Sequence, residues 1–352
     1  MPIASVVDPG TLKDRKIDVK DKRIIDALLQ DSRMPCSKVA KLLGYSQEVV
    51  KYRLARLVED NIITDFFAVV DSSRLGIMRF NIYLQFSTLS RQDERQVVEY
   101  LLAQPFVSWA ISTSGKWDFM IQLSVRSLQD VDIFLLDLSK QFLDLLKSYE
   151  CNIIVQFHHL PQRFLTVDVG KNASSARSTS GPYAKELRIV EAEAPEVDAT
   201  DMRLLKILEN DARTSLIDIA KNLGCSKDTV NYRIKRLIRQ KIITKFMLRL
   251  NWHALGYEYH SILVKLKNSD SRTRSRLIAY LSQKSEVIAV FVQIGFWNLC
   301  IQSVVKNALA LKELEAEIRE HFKDTIEDTD TALYFNQYYF TYLPDGVMKS
   351  PR

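Results

Sequence analysis

Short apolar stripes of helical period alternate with polar turns at the start of the chain. Ile24, Ile25, Leu28 and Leu29 recur on one helical face, a polar turn follows from Asp31 to Arg33, and Val39, Leu42 and Leu43 mark a second short helix. Gly44 stops that helix, and Ser46 caps a third whose inward stripe is Val50, Leu54 and Leu57. The β-rich run "NIITDFFAVVD" then predicts a strand leaving the helical part towards the next domain. From Met78 the pattern reads strand ("RFNIYLQF"), helix (Asp93 to Ala103), strand ("FVSWAIST"), tight turn at Gly115 and strand ("WDFMIQLSV"). A long helix (Leu128 to Leu146) and a strand ("CNIIVQF") complete it. A βαββαβ order predicts an antiparallel sheet with both helices on one face, so the other face needs a cover.

The whole series occurs twice. With residue 18 set against residue 198, 22 of the 59 positions from Asp18 to Gly76 are identical without a gap. The same offset of 180 still pairs Gly115 with Gly295, Trp117 with Trp297, Gln122 with Gln302 and Phe142 with Phe322. Each half is therefore a copy of one two-part unit, and the second sheet of the chain is the economical cover for the first. The predicted fold is α+β: helix-turn-helix domains at 16–76 and 198–256, βαββαβ domains at 77–165 and 257–344, and a flexible linker rich in Ser, Ala and acids at 166–197. An intrachain pseudo-dimer of the two sheets follows, with a swapped dimer between chains as its rival.

Three short helices with a Gly turn before the third are the layout of a DNA reader. The inward stripe leaves Gln47, Lys51, Tyr52 and Ala55, or Lys227, Asn231, Tyr232 and Lys235, facing outward near the amino end of the third helix. Lys and Arg neutralise phosphates there, while Gln and Asn pair with adenine edges. Ser46 and Ser226 as caps, with Arg53, Arg56, Arg233, Arg236 and Arg239 further along, complete the expected DNA-contacting set; Arg53, Arg56, Arg233 and Arg236 are expected to share in bracing the fold. Charge separates the copies. From Asp21 to Val70 there are eight Lys/Arg and seven Asp/Glu, net +1, whereas Asp201 to Leu250 holds twelve and five, net +7. Affinity follows the number of phosphates neutralised, so the second copy is expected to dominate binding.

These motifs carry a resemblance. "DxRxxxxxxAKxLGxS" (Asp31 to Ser46, Asp211 to Ser226), then "IIT" and "LG", then βαββαβ with a "GxWD" or "GxWN" turn, is similar to the leucine-responsive regulatory protein family, Lrp/AsnC. The resemblance implies a transcription regulator that binds double-stranded DNA and whose C-terminal domains dimerise, with further homo-oligomerisation expected. It also implies an amino-acid effector near the glycine turn: Gly115, Trp117 and Asp118 in copy one, Gly295, Trp297 and Asn298 in copy two. Asp118 would meet an ammonium better than Asn298, making copy one the stronger site. The tandem fusion departs from the family's single unit per chain.

Composition adds exclusions. The net charge of +6 permits an anionic partner, and no apolar run approaches the roughly 20 residues that span a bilayer. Cys36, Cys151, Cys225 and Cys300 lie far apart and read as buried free thiols of a cytoplasmic protein. No nucleotide or hydrolase motif is present, and no cofactor, metal or catalytic residue is expected. Two alternatives share these features: a DNA-compacting chromatin protein, and a tetrapyrrole decarboxylase resembling the sirohaem enzymes, with His158, His159 and Arg163 as candidates.

Overall fold

The computed structural model describes residues 17–160, 162, 196–267 and 270–349, so nearly all of the predicted linker lies outside the described residues. In chain order the first copy is α1 (Val19–Gln30), α2 (Cys36–Leu43), α3 (Gln47–Glu59), β1 (Ile63–Val70), β2 (Met78–Phe86), α4 (Arg91–Ala103), β3 (Val107–Ser114), β4 (Phe119–Val125), α5 (Leu128–Gln141) and β5 (Leu146–His159). The second is α6 (Ala199–Asn210), α7 (Leu216–Leu223), α8 (Lys227–Arg239), β6 (Ile243–Leu250), β7 (Glu258–Leu266), α9 (Ser271–Leu281), β8 (Val287–Ile294), β9 (Leu299–Val305), α10 (Ala308–His321) and β10 (Ile326–Phe340), with a last short helix, α11 (Asp345–Lys349). Like parts group together. One compact unit combines Ile77–Gln162 with the chain from Tyr257 onward, and the other combines the helical segments that end at Gly76 and Gly256.

In the helical unit the expectation for β1 is corrected. This strand and β6 do not simply lead away to the next domain; they pair with each other, antiparallel, with Phe67 opposite Met247 and Phe66 opposite Leu248. Pairing satisfies the backbone groups of two short strands that would otherwise be lone edges. The helices before them form as expected. Asp18 and Asp21, like Asp198 and Asp201, make reciprocal capping boxes at the first helix of each copy. Gly44 and Gly224 take left-handed φ values of 69° and 68° to end the second helix, a conformation that a side chain disfavours.

In the other unit eight strands close into a barrel in the order β10-β3-β4-β2-β5-β8-β9-β7. Each copy supplies a four-stranded βαββαβ sheet, and the sheets join at both edges through β5 with β8 and β10 with β3. The long last strands make this closure. Residues Leu146 to Ile154 of β5 lie along β2, and Ile153 to His159 lie along β8; β10 divides itself in the same way between β7 and β3. To allow the extra strand length, α5 ends at Gln141 rather than Leu146, and Leu146 already pairs with Phe86.

The interior between the sheets mixes residues of both copies: Tyr83, Trp109, Trp117 and Met120 pack with Leu263, Phe291, Trp297 and Tyr334. Outside the barrel each pair of helices covers its own apolar layer, but Leu160 of copy one enters the core of copy two, and Tyr338 and Tyr339 of copy two pack on the core of copy one. The Trp109 indole donates to Gln337 Oε1 at 3.1 Å, and the Tyr334 hydroxyl reaches Met120 Sδ at 3.0 Å. The two sheets are thus paired within one chain, by edges as well as faces. All four cysteines are free; Cys300 is buried, whereas Cys36, Cys151 and Cys225 are half-buried rather than buried as expected.

Candidate nucleic-acid interface and effector turns

The third helix of each copy is held from its inner side. Val50, Leu54 and Leu57, and in copy two Val230, Ile234 and Leu237, are buried. At the amino ends Ser46 Oγ accepts from the Val49 N–H at 3.3 Å and Ser226 Oγ from the Thr229 N–H at 3.1 Å, so both serines act as caps. Gln47, Lys51 and Tyr52 are exposed on α3, as are Lys227, Tyr232, Lys235 and Arg239 on α8; Asn231 is half-buried. The tyrosines stand 69% and 59% exposed, enough for a flat ring to meet a nucleic-acid surface.

Four of the expected DNA-contacting residues are engaged elsewhere. Arg53 donates to Asp18 at 2.7 Å and to Asp21 at 2.9 Å, and Arg56 donates to Asp21 at 2.5 Å. Copy two repeats this: Arg233 binds Asp198 at 2.7 Å and Asp201 at 2.8 Å, and Arg236 binds Asp201. Asp21 and Asp201 are fully buried, and a buried carboxylate needs its cations near to offset the loss of water. These arginines therefore fix the reading helix on the first helix, the bracing role expected of them. Although burial works against it, the Asp201 N–H and the Arg233 guanidinium hold the Asp198 carboxyl below its ordinary value, and Asp18 behaves likewise towards Arg53.

Without those pairs the charge difference between the copies becomes sharper. Lys227, Lys235 and Arg239 have no ion-pair partner among the described residues, and the positions 180 earlier hold Gln47, Ala55 and Glu59.

Arg33 and Arg213, to which the motifs assign no role, couple the two helical domains. Arg33 donates to the Ala212 carbonyl, and Arg213 donates to the Ser32 carbonyl at 2.6 Å and the Met34 carbonyl at 3.2 Å. Each guanidinium also lies over an aromatic ring of the strand pair, Arg33 on Phe246 at 5.4 Å and Arg213 on Phe66 at 5.3 Å. Their identity in both copies was the available signal, but sequence alone gives no partner.

In the barrel, Trp117 and Trp297 are core residues, 2% exposed, and the glycine turns beside them meet the last strand of the opposite copy. A Cβ on Gly115 would lie 2.9 Å from the Thr331 carbonyl oxygen; on Gly295 it would run into the Asn152 side chain. Asn152 Oδ1 also accepts from the Trp297 N–H at 3.1 Å. The residue 180 places after Asn152 is Ala332, which has no side-chain oxygen to offer, so copy one carries no such plug.

Asp118 Oδ2 accepts from the Phe86 N–H at 2.7 Å, and Asn298 Oδ1 accepts from the Leu266 N–H at the same distance, so both residues hold a strand end. Two other carboxylates stand beside the copy-one turn. Glu150 Oε1 lies 3.3 Å from Lys116 Nζ, Glu150 Oε2 and the Trp297 indole nitrogen are buried without a hydrogen-bond partner, and the Asp330 carboxyl faces the Trp117 indole. Burial raises the Asp330 carboxyl above its ordinary value against the pull of the Thr331 N–H and Lys116.

His158 and His159 occupy adjacent positions of β5, opposite Val290 and Ala289. Adjacent strand residues face opposite sides, His159 Nε2 lies 3.3 Å from the Tyr342 hydroxyl, and Arg163 lies outside the described residues. Burial lowers the pKa of His158 and leaves its Nε2 without a partner. Among the described residues no group of three His, Cys, Asp or Glu could hold a metal ion, and no helix is long and apolar enough to cross a membrane.

Comparison with known proteins agrees with this geometry. The AsnC-type helix-turn-helix domain matches residues 17–58 and again 197–238. An uncharacterized HTH-type transcriptional regulator of Pyrococcus horikoshii is 34% identical over 116 residues, 32% of this chain and 77% of that protein. The HTH-type transcriptional regulator AldR of Mycolicibacterium smegmatis is 27% identical over 139 residues, 38% of this chain and 81% of its own. A crystal structure of the siroheme decarboxylase NirDL aligns with 92% of this chain and 94% of its own at a TM-score of 0.60 and 14% identity, a likeness of fold alone.

Proposed function

Because the chain belongs to the Lrp/AsnC family of helix-turn-helix regulators, we propose that it regulates transcription by binding particular sequences of duplex DNA through α3 and α8. The observation that carries this reading is the coupling of two outward-facing reading helices by one antiparallel strand pair and two reciprocal arginines. That arrangement supplies within one chain what a dimeric reader supplies with two. Footprinting of the full chain on promoter DNA tests it: bounded protection that survives excess competitor DNA is expected, whereas even protection along the fragment would make the chain a compacting protein. We propose a cytoplasmic regulator without catalytic activity; the likeness to a decarboxylase is one of fold alone, and among the described residues His158 and His159 face opposite sides of β5.

An amino-acid effector is proposed at the copy-one turn. The Glu150 and Asp330 carboxylates near Lys116 suit an ammonium group, and in copy two Asn152 already occupies the Trp297 N–H. Calorimetric titration of the full chain with the common amino acids should find a single molecule bound per chain. Asp330→Asn should weaken it by at least about tenfold, within the range of a lost charge-assisted bond. An ammonium needs the ionised carboxylate, and the Asp330 pKa is raised, so binding should strengthen as pH rises through that value and fade below it. Two equal sites per chain would contradict the role given to Asn152.

A further inference from the structure

The two long helices that flank the barrel are homologous, yet they present different surfaces. On α5 and just beyond it, Leu128, Ile133, Leu136 and Leu143 are 62%, 56%, 64% and 77% exposed. The corresponding residues of copy two are Ala308, Glu313, Ala316 and Lys323, an ordinary solvated face. Exposing four large apolar side chains along one helix and the turn after it is costly to solubility unless something covers them, and the second copy shows that the fold does not require them.

The charges on the same face say what the cover is. Leu136 lies at the outward apex, opposite the buried Val131, Phe134 and Leu138. The exposed Asp132 stands four residues before it and the exposed Lys140 four residues after it, on the same helical ridge. An antiparallel helix related by a two-fold axis at Leu136 would set Asp132 against Lys140 on both sides and bring Leu136 onto Leu136. We propose that α5 is a self-association surface, on which the α5 of a second copy of this chain packs antiparallel about Leu136. A two-fold contact of this kind is closed, so it joins two chains and stops.

The α10 of another chain is a poor occupant. Packed antiparallel on α5 it would place Glu320 opposite Asp132 and Lys312 opposite Lys140, like against like. Packed parallel it satisfies those charges but lays Glu313 and Lys323 against Ile133 and Leu143.

The test is the mass of the full chain in solution, by size exclusion with light scattering over a range of concentration. The expected result is a two-chain species that Leu136→Glu weakens at least tenfold, while Leu309→Glu, at a 65% exposed site on α10, leaves it unchanged. Asp132→Lys and Lys140→Asp should each weaken self-association. Mixing the two variants should restore it, because one chain then carries two cations on the ridge and the other two carboxylates, and every pair across the two-fold is opposite in sign. A single-chain mass at every concentration would overturn the proposal, as would loss on Leu309→Glu with retention on Leu136→Glu. Failure of the mixed charge variants to associate would overturn the antiparallel geometry and with it the proposal. Both leucines are exposed, so circular dichroism of each variant should match the parent chain.

Discussion

Asp201→Ala should destabilise the helical unit by about 2–4 kcal/mol, the loss of half a capping box and of charge-assisted hydrogen bonds to two half-buried arginines. Asp201 is fully buried, accepts from the Asp198 N–H in the capping box of α6 and receives both Arg233 and Arg236, so its loss removes half of the capping box and the anchor of the reading helix together. Asp228→Ala is the matched control: it removes an exposed acid from the first turn of α8 and should cost less than about 1 kcal/mol. Urea unfolding followed by circular dichroism separates the two, and equal midpoints would show that the buried pair does not hold the helix. The same network should be sensitive to acid. The folded pKa of Asp18 and Asp198 is depressed, so their contribution is present above the ordinary carboxylate value of about 4 and is lost as pH falls through the lowered native values.

Removing Lys227, Lys235 and Arg239 together, each to Ala, should flatten the dependence of DNA affinity on salt by up to about three units, about one for each phosphate no longer neutralised. Lys51→Ala on copy one should change that slope by no more than about one unit. The contrast follows from the copy-one residues at the three positions, Gln47, Ala55 and Glu59, two neutral and one acidic. Arg236 is left in place because Asp201 holds it, and removing it would measure folding rather than binding. A small effect from the triple variant, or an equal one from Lys51→Ala, would mean that the charge count misidentifies the principal reader. The helix content of both variants should be unchanged, since all four side chains are exposed.

Local patterns were legible in the sequence because each answers to a local cause. Ser46, Ser226, Gly44 and Gly224 punctuate the helices by capping and by positive φ, and the repeat of 180 residues doubled every such signal. What the sequence hid depends on partners remote in the chain. Arg53 and Lys51 look alike as cations on one helix, and only Asp21, more than thirty residues earlier, distinguishes a brace from a free charge. Pairing of β1 with β6 is invisible to periodicity, since a strand pattern states which residues alternate but not which edge they meet. The effector turns show the same limit. Gly115 and Trp117 read alike in both copies, while Asn152, which fills one turn and has no counterpart at the other, comes from a different strand of the opposite copy.

Selection of bound duplexes from a random-sequence pool by the full chain should reveal two coupled but unlike readers in one chain. α3 offers Gln47, Lys51 and Tyr52, whereas α8 offers Lys227, Asn231, Tyr232 and Lys235, so the two halves of the site should differ. The expected result is an enriched sequence of two unlike half-sites at a fixed spacing, with the half read by α8 recovered when Lys51 is replaced and lost in the Lys227, Lys235 and Arg239 triple variant. A palindrome would contradict the asymmetry of the readers, and no enrichment at all would contradict sequence-specific regulation itself.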